Sequence, residues 1–78
     1  MQKENYETSD LWISAFILCS GGNLVSTYRQ DGRVICVFCD REECERLERE
    51  YLTGKAKVMA KEFVDAFRGV KGLIYRVH

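Results

Sequence analysis

From Leu11 to Cys19 the chain reads Leu-Trp-Ile-Ser-Ala-Phe-Ile-Leu-Cys, and only Ser14 and the following Ser20 interrupt the apolar run. A segment that is apolar around nearly its whole circumference has to be covered on most sides if it is a helix. Thr8 or Ser9 supplies an N-cap hydroxyl and Asp10 a negative charge for the first turn, while Gly21-Gly22 supplies a left-handed stop. The pattern predicts a helix over about residues 10–20.

Around this helix the period changes to two. Tyr6-Glu7-Thr8 reads as a short first strand, and residues 23–29 and 33–39 are rich in β-branched and aromatic side chains on either side of Gln30-Asp31-Gly32. Asp-Gly supplies the positive φ of a tight turn, so the two segments predict a β-hairpin. Its second strand is apolar on both faces, with Val34, Cys36 and Phe38 on one and Ile35, Val37 and Cys39 on the other. Such a strand belongs at the centre of a sheet or under cover on both sides.

Two helices follow. Asp40-Arg41-Glu42-Glu43 has the spacing of a capping box, opening a helix over Arg41–Leu52 that ends near Gly54. Cys44, Leu47 and Tyr51 give it one narrow apolar stripe, and Glu42–Arg46 and Glu45–Arg49 are i,i+4 charge pairs on its solvated surface. Residues 58–76 predict a third helix, with Met59, Phe63, Ala66, Phe67, Val70, Leu73, Ile74 and Val77 on one face. Gly69 and Gly72 inside it predict a bend, an early end or close approach of a neighbour. The expected fold is α+β in the order β-α-β-β-α-α: a small antiparallel sheet backed by the first and third helices, with the second at its edge or opposite face.

Length makes this a single domain over residues 1–78, with a polar, flexible opening at residues 1–5 and no room for a deep cleft. The segment ahead of the apolar run carries Glu4, Glu7 and Asp10 where a secretory signal would be basic, and the run is too short to span a bilayer. We therefore expect a cytoplasmic protein with no membrane association, whose four cysteines are thiols. Twelve basic side chains balance twelve acidic ones, which excludes a general coat of positive charge for nucleic acid. The balance conceals a split. Residues 1–50 hold six Lys and Arg against ten Asp and Glu, and residues 51–78 hold six against two.

Cys36-Val-Phe-Cys39 has a CxxC spacing, and Cys44 with Cys19 or His78 would complete a zinc set. In a strand, however, the two CxxC sulfurs point to opposite faces, and a redox pair would need a helix N-terminus. Buried thiols are the preferred reading, with no cofactor and no metal. A single histidine, no Ser-x-Gly elbow and no Gly-rich phosphate loop predict a non-catalytic protein. Two surfaces remain as candidates. Lys57, Lys61, Arg68 and Lys71 fall within about 80° on the third helix at 100° per residue, a face suited to nucleic-acid phosphates or simply to solvent. Trp12 and Phe16 on the first helix are candidates for self-association, making a homo-oligomer or a complex with a protein partner.

The ordered pattern Tyr6-x-Thr8-Ser9-Asp10-Leu11, an apolar helix ending in Gly22, Arg33-Val34 to Phe38, Tyr51-Leu52-x-Gly54, and Val58 with Phe63 and Leu73 spans nearly the whole chain. It resembles a small bacterial family known only as a domain of unknown function. The resemblance implies a bacterial cytosolic protein in mobile-element or phage-like settings, raises the weight of nucleic acid as a partner, and carries over no catalytic residue or cofactor. The CxxC and Cys44 are not part of it.

Overall fold

The computed structural model describes residues 4–76. Strand β1 (Tyr6–Thr8), helix α1 (Leu11–Cys19), strands β2 (Leu24–Gln30) and β3 (Arg33–Phe38), and helices α2 (Arg41–Leu52) and α3 (Ala60–Arg76) follow in the expected α+β order. The sheet is antiparallel with β3 between β1 and β2, which is where a strand apolar on both faces belongs. Tyr6 pairs with Phe38 and Thr8 with Cys36 on one side, and Thr27 pairs with Cys36 and Tyr28 with Ile35 on the other. The hairpin closes with two residues, Asp31 at φ 51° and Gly32 at φ 77°, the twist that matches antiparallel strands.

One sheet face and all three helices build the core. Tyr6, Cys36 and Phe38 meet Ile13, Phe16 and Ile17 of α1, Cys44 and Leu47 of α2, and Val70 of α3. Helix α2 thus takes the same face as the others, at the β1 edge, where the Tyr6 hydroxyl donates to Glu48. The other face carries Glu7, Tyr28, Ile35 and Val37. There the Tyr28 hydroxyl, from β2, reaches across β3 to the Glu7 carboxylate on β1. That bridge helps bury Val37, which is 7% exposed without belonging to the helix-packed core.

Several local expectations shift. The N-cap of α1 is Asp10, whose Oδ1 accepts the Ile13 amide at 2.9 Å, while Thr8 Oγ1 accepts the Asp10 amide at 3.0 Å. Asp10 takes the cap because β1 runs through Thr8 and keeps that residue extended. Glu4, within the opening expected to be flexible, is tied to the first turn of α2: its carbonyl accepts the Arg41 amide at 2.7 Å and its carboxylate meets Arg41 at 3.0 Å. Of that opening, Met1 to Lys3 lie outside the described residues, as do Val77 and His78. On α2, Arg46 bonds Glu43 and Glu50, one turn to either side, and Arg41 faces Glu45 at 3.6 Å. These pairs replace the expected Glu42–Arg46 and Glu45–Arg49.

Helix α3 begins at Ala60, two residues later than its periodicity suggests. Ala56 packs against the core, so the chain stays non-helical through residues 55–59 before α3 can turn. The helix then runs through both Gly69 and Gly72, and a Cβ at either would meet nothing within 4 Å. Neither the expected early end nor a close neighbour is found at these glycines among the described residues. Gly22 is the opposite case. It completes a Schellman stop, its amide donating to Ile17 O at 2.8 Å while Gly21 N donates to Leu18 O at 3.1 Å. A Cβ at Gly22 would lie 2.4 Å from Ile17 Cγ2 and 2.9 Å from Ile17 O.

Opposite outcomes are therefore expected for two glycine-to-alanine changes, both read from urea unfolding midpoints. Gly22→Ala forces the backbone of α1 to move and should destabilise by about 1–3 kcal/mol. Gly69→Ala adds helix propensity in open space and should stabilise by about 0.5–1 kcal/mol.

Candidate functional site

The four cysteines do not gather into one cluster, although Cys39 and Cys44 are neighbours. Cys36 points into the core, Cys39 follows the end of β3, Cys44 is buried one turn into α2, and Cys19 ends α1. Cys44 Sγ donates to the Cys39 carbonyl at 3.5 Å. Among the described residues, no group of three or more His, Cys, Asp and Glu is placed to hold a metal ion. His78, the other ligand considered for zinc, lies outside them. A cavity of about 220 Å³ opens where the end of α1 meets the start of α2, between Gly21-Gly22 and Cys39, Asp40, Glu43 and Cys44. Asp40 is left-handed at φ 65° and caps the Glu43 amide at 3.3 Å. The cavity wall is thus made of a helix stop and a helix start.

Burial, reinforced by the charge of Asp40, pushes the Cys44 thiol from its ordinary 9.0 up to about 11. Burial also raises Cys36 and Cys19. Tyr6 is held well above the usual tyrosine range, first by burial and then by its hydrogen bond to Glu48. All of these stabilise the neutral form, which fits groups that serve packing.

The surface around Trp12 has a different character. Its neighbours on α1, residues 13–17, are all buried, yet Trp12 itself is 50% exposed. Its ring stacks on Phe67 of α3 with centroids 4.0 Å apart, and lies 6.1 Å from Phe63. Phe16, the other residue proposed for self-association, is 2% exposed and packs against Tyr51. It is part of the monomer's core and cannot form a surface contact. The error has a simple origin: an all-apolar helix gives no periodicity from which to tell its outward side.

Helix α3 lies against α1 but buries only Val70 among its 17 residues. Met59, Val64, Leu73 and Tyr75 are exposed along or just before it. Of the four predicted basic residues, Lys61, Arg68 and Lys71 lie on α3 and are exposed, whereas Lys57 precedes the helix in the non-helical segment and leaves the stripe. Lys61 faces Asp65 at 3.7 Å, and Lys71 Nζ sits 5.9 Å from the centre of the Tyr75 ring. Sequence reasoning passed over Val64 and Tyr75, although at 100° per residue they fall among the basic positions. The structure thus joins Trp12 through Phe67 to a mixed apolar and basic flank. Among the described residues no helix is long and apolar enough to cross a membrane.

Because the unfolded Cys44 thiol ionises near 9.0 and the folded one near 11, the unfolded state holds fewer protons between those values. The Cys44 contribution to stability should be fully present below pH 9 and lost as pH rises toward 11. Urea midpoints at pH 8 and pH 10.5 should show a larger drop for the natural chain than for Cys44→Ala.

No curated protein and no solved structure matches the chain. A family model matches residues 3–76, nearly the whole sequence, and by that match the chain belongs to the DUF5659 family, a domain of unknown function.

Proposed function

We propose that this chain is a small non-catalytic binding module that docks a protein, either another protein or a second copy of itself, through Trp12 and the adjoining flank of α3. One observation carries the reading: the sole tryptophan is half exposed and stacked on Phe67, beside a helix whose flank leaves Val64, Arg68, Lys71 and Tyr75 exposed. Large aromatic side chains with one side packed and one side free are favoured anchors in protein interfaces. In the same reading the protein works in the cytoplasm, where its four cysteines remain thiols.

A second reading is favoured by the exposed Lys61, Arg68 and Lys71, which would contact phosphates of nucleic acid in a bacterial mobile-element setting. The two readings respond differently to salt. A photoreactive residue at position 12 should give a discrete crosslinked protein product in the native host, and the same residue at position 42 on α2 should not. Equal products at both positions, or none, would sink the docking reading. The nucleic-acid reading predicts saturable anisotropy changes with DNA or RNA that weaken steeply with salt and vanish in the Lys61→Glu/Arg68→Glu double variant.

A further inference from the structure

We infer that the occupant of this surface is an acidic amphipathic helical segment of a different protein. The inference rests on the docking reading above and names its partner. At 100° per residue, Phe67, Lys71, Val64, Tyr75, Arg68 and Lys61 occupy about 120° of α3, and the helix's two acids, Glu62 and Asp65, fall outside that arc, with Asp65 pairing Lys61 at its border at 3.7 Å. Trp12 extends the arc at Phe67, where the two rings stack. Lys71 lies one turn beyond Phe67 and one turn before Tyr75, whose ring it faces. Apolar and cationic positions are therefore interleaved on one flank from Lys61 to Tyr75, a length of about 21 Å at 1.5 Å per residue. The complement is a helix with an apolar stripe flanked by carboxylates.

A second copy fits this strip poorly. Two α3 flanks brought together would oppose cation to cation. The acid-rich surface of the chain is α2, but its apolar stripe is already committed, with Cys44 and Leu47 buried in the core and Tyr51 packed against it. A partner's α2 would bring charge to Lys71 and Arg68 and little apolar surface to Trp12. Nucleic acid would use the cations and could stack on the aromatic ring. It would leave the exposed Val64 uncovered, and the protein as a whole offers no surplus of positive charge to hold it.

Trp12 is the sole tryptophan, so its emission reports on the strip directly. The full chain is titrated with a short amphipathic helical peptide bearing Leu on one face and Glu on its flanks, with the same peptide in which every Glu is Lys, and with an oligothymidylate. Sedimentation velocity of the protein alone runs beside these titrations. The acidic peptide should shift Trp12 emission to the blue saturably and bind at least about ten-fold more tightly than its Lys counterpart. Lys71→Glu/Arg68→Glu should reverse that preference, with the circular dichroism spectrum unchanged because both side chains are exposed. Equal affinity for the two peptides overturns the inference. So does tighter binding of the oligothymidylate, or a dimer that shields Trp12 from acrylamide; the dimer would leave the docking reading standing. If no probe and no second copy changes the environment of Trp12, both fail.

Discussion

Helix α1 has no polar side to turn toward water, and the domain is built to enclose it. The inner face of the sheet meets Phe16 and Ile17, α2 adds Cys44 and Leu47, and α3 closes over the remaining side with Val70 and its phenylalanines. In so short a chain, surface is costly to cover. Enclosure succeeds for residues 13–17 and stops at Trp12, the first turn, where α3 supplies Phe67 and Phe63 on one side and half of the side chain stays exposed among the described residues. The candidate docking surface is the place where the central constraint of the fold is left half satisfied.

The ends of the elements serve the same enclosure. Gly22 brings the chain out of α1 so closely over Ile17 that no side chain fits, which turns β2 back alongside β3. Asp40, in a left-handed conformation, reverses direction at once after Cys39 and starts α2 against the β1 edge. Glu4 then ties the first described residue to the first turn of α2. These contacts fix α1 and α2 on one face of the sheet. The other face is left to a tyrosine–carboxylate bridge over Val37, a light cover that uses no further element.

Charge is distributed according to what each helix owes the core. Helix α2 buries a narrow stripe and spends its remaining surface on Arg46 and Arg41 pairs with neighbouring glutamates, an arrangement that is self-satisfied and exposed. Such pairs contribute little to stability. Helix α3 buries even less, yet its cations are interleaved with Val64 and Tyr75 and abut Trp12. An exposed face of this composition sets apolar and cationic groups side by side. It has the chemistry of a surface complementary to acid and apolar groups together.

Membership of the α+β class, the order of the six elements, the hairpin at Asp31-Gly32, the central position of β3 and the bounds of α2 all follow from the sequence, because periodicity, turn chemistry and capping act over a few residues. The basic residues of α3 are legible for the same reason. Tertiary structure alone decided which side of α1 faces outward, since a helix apolar all round carries no moment to orient it. That decision made Trp12 a surface residue and Phe16 a core residue. It also decided that α3 starts only after Ala56 has reached the core, which removes Lys57 from the stripe, and that Phe67 stacks on Trp12 and so joins two helices into one surface. These outcomes depend on contacts between residues distant along the chain, and local pattern does not encode them.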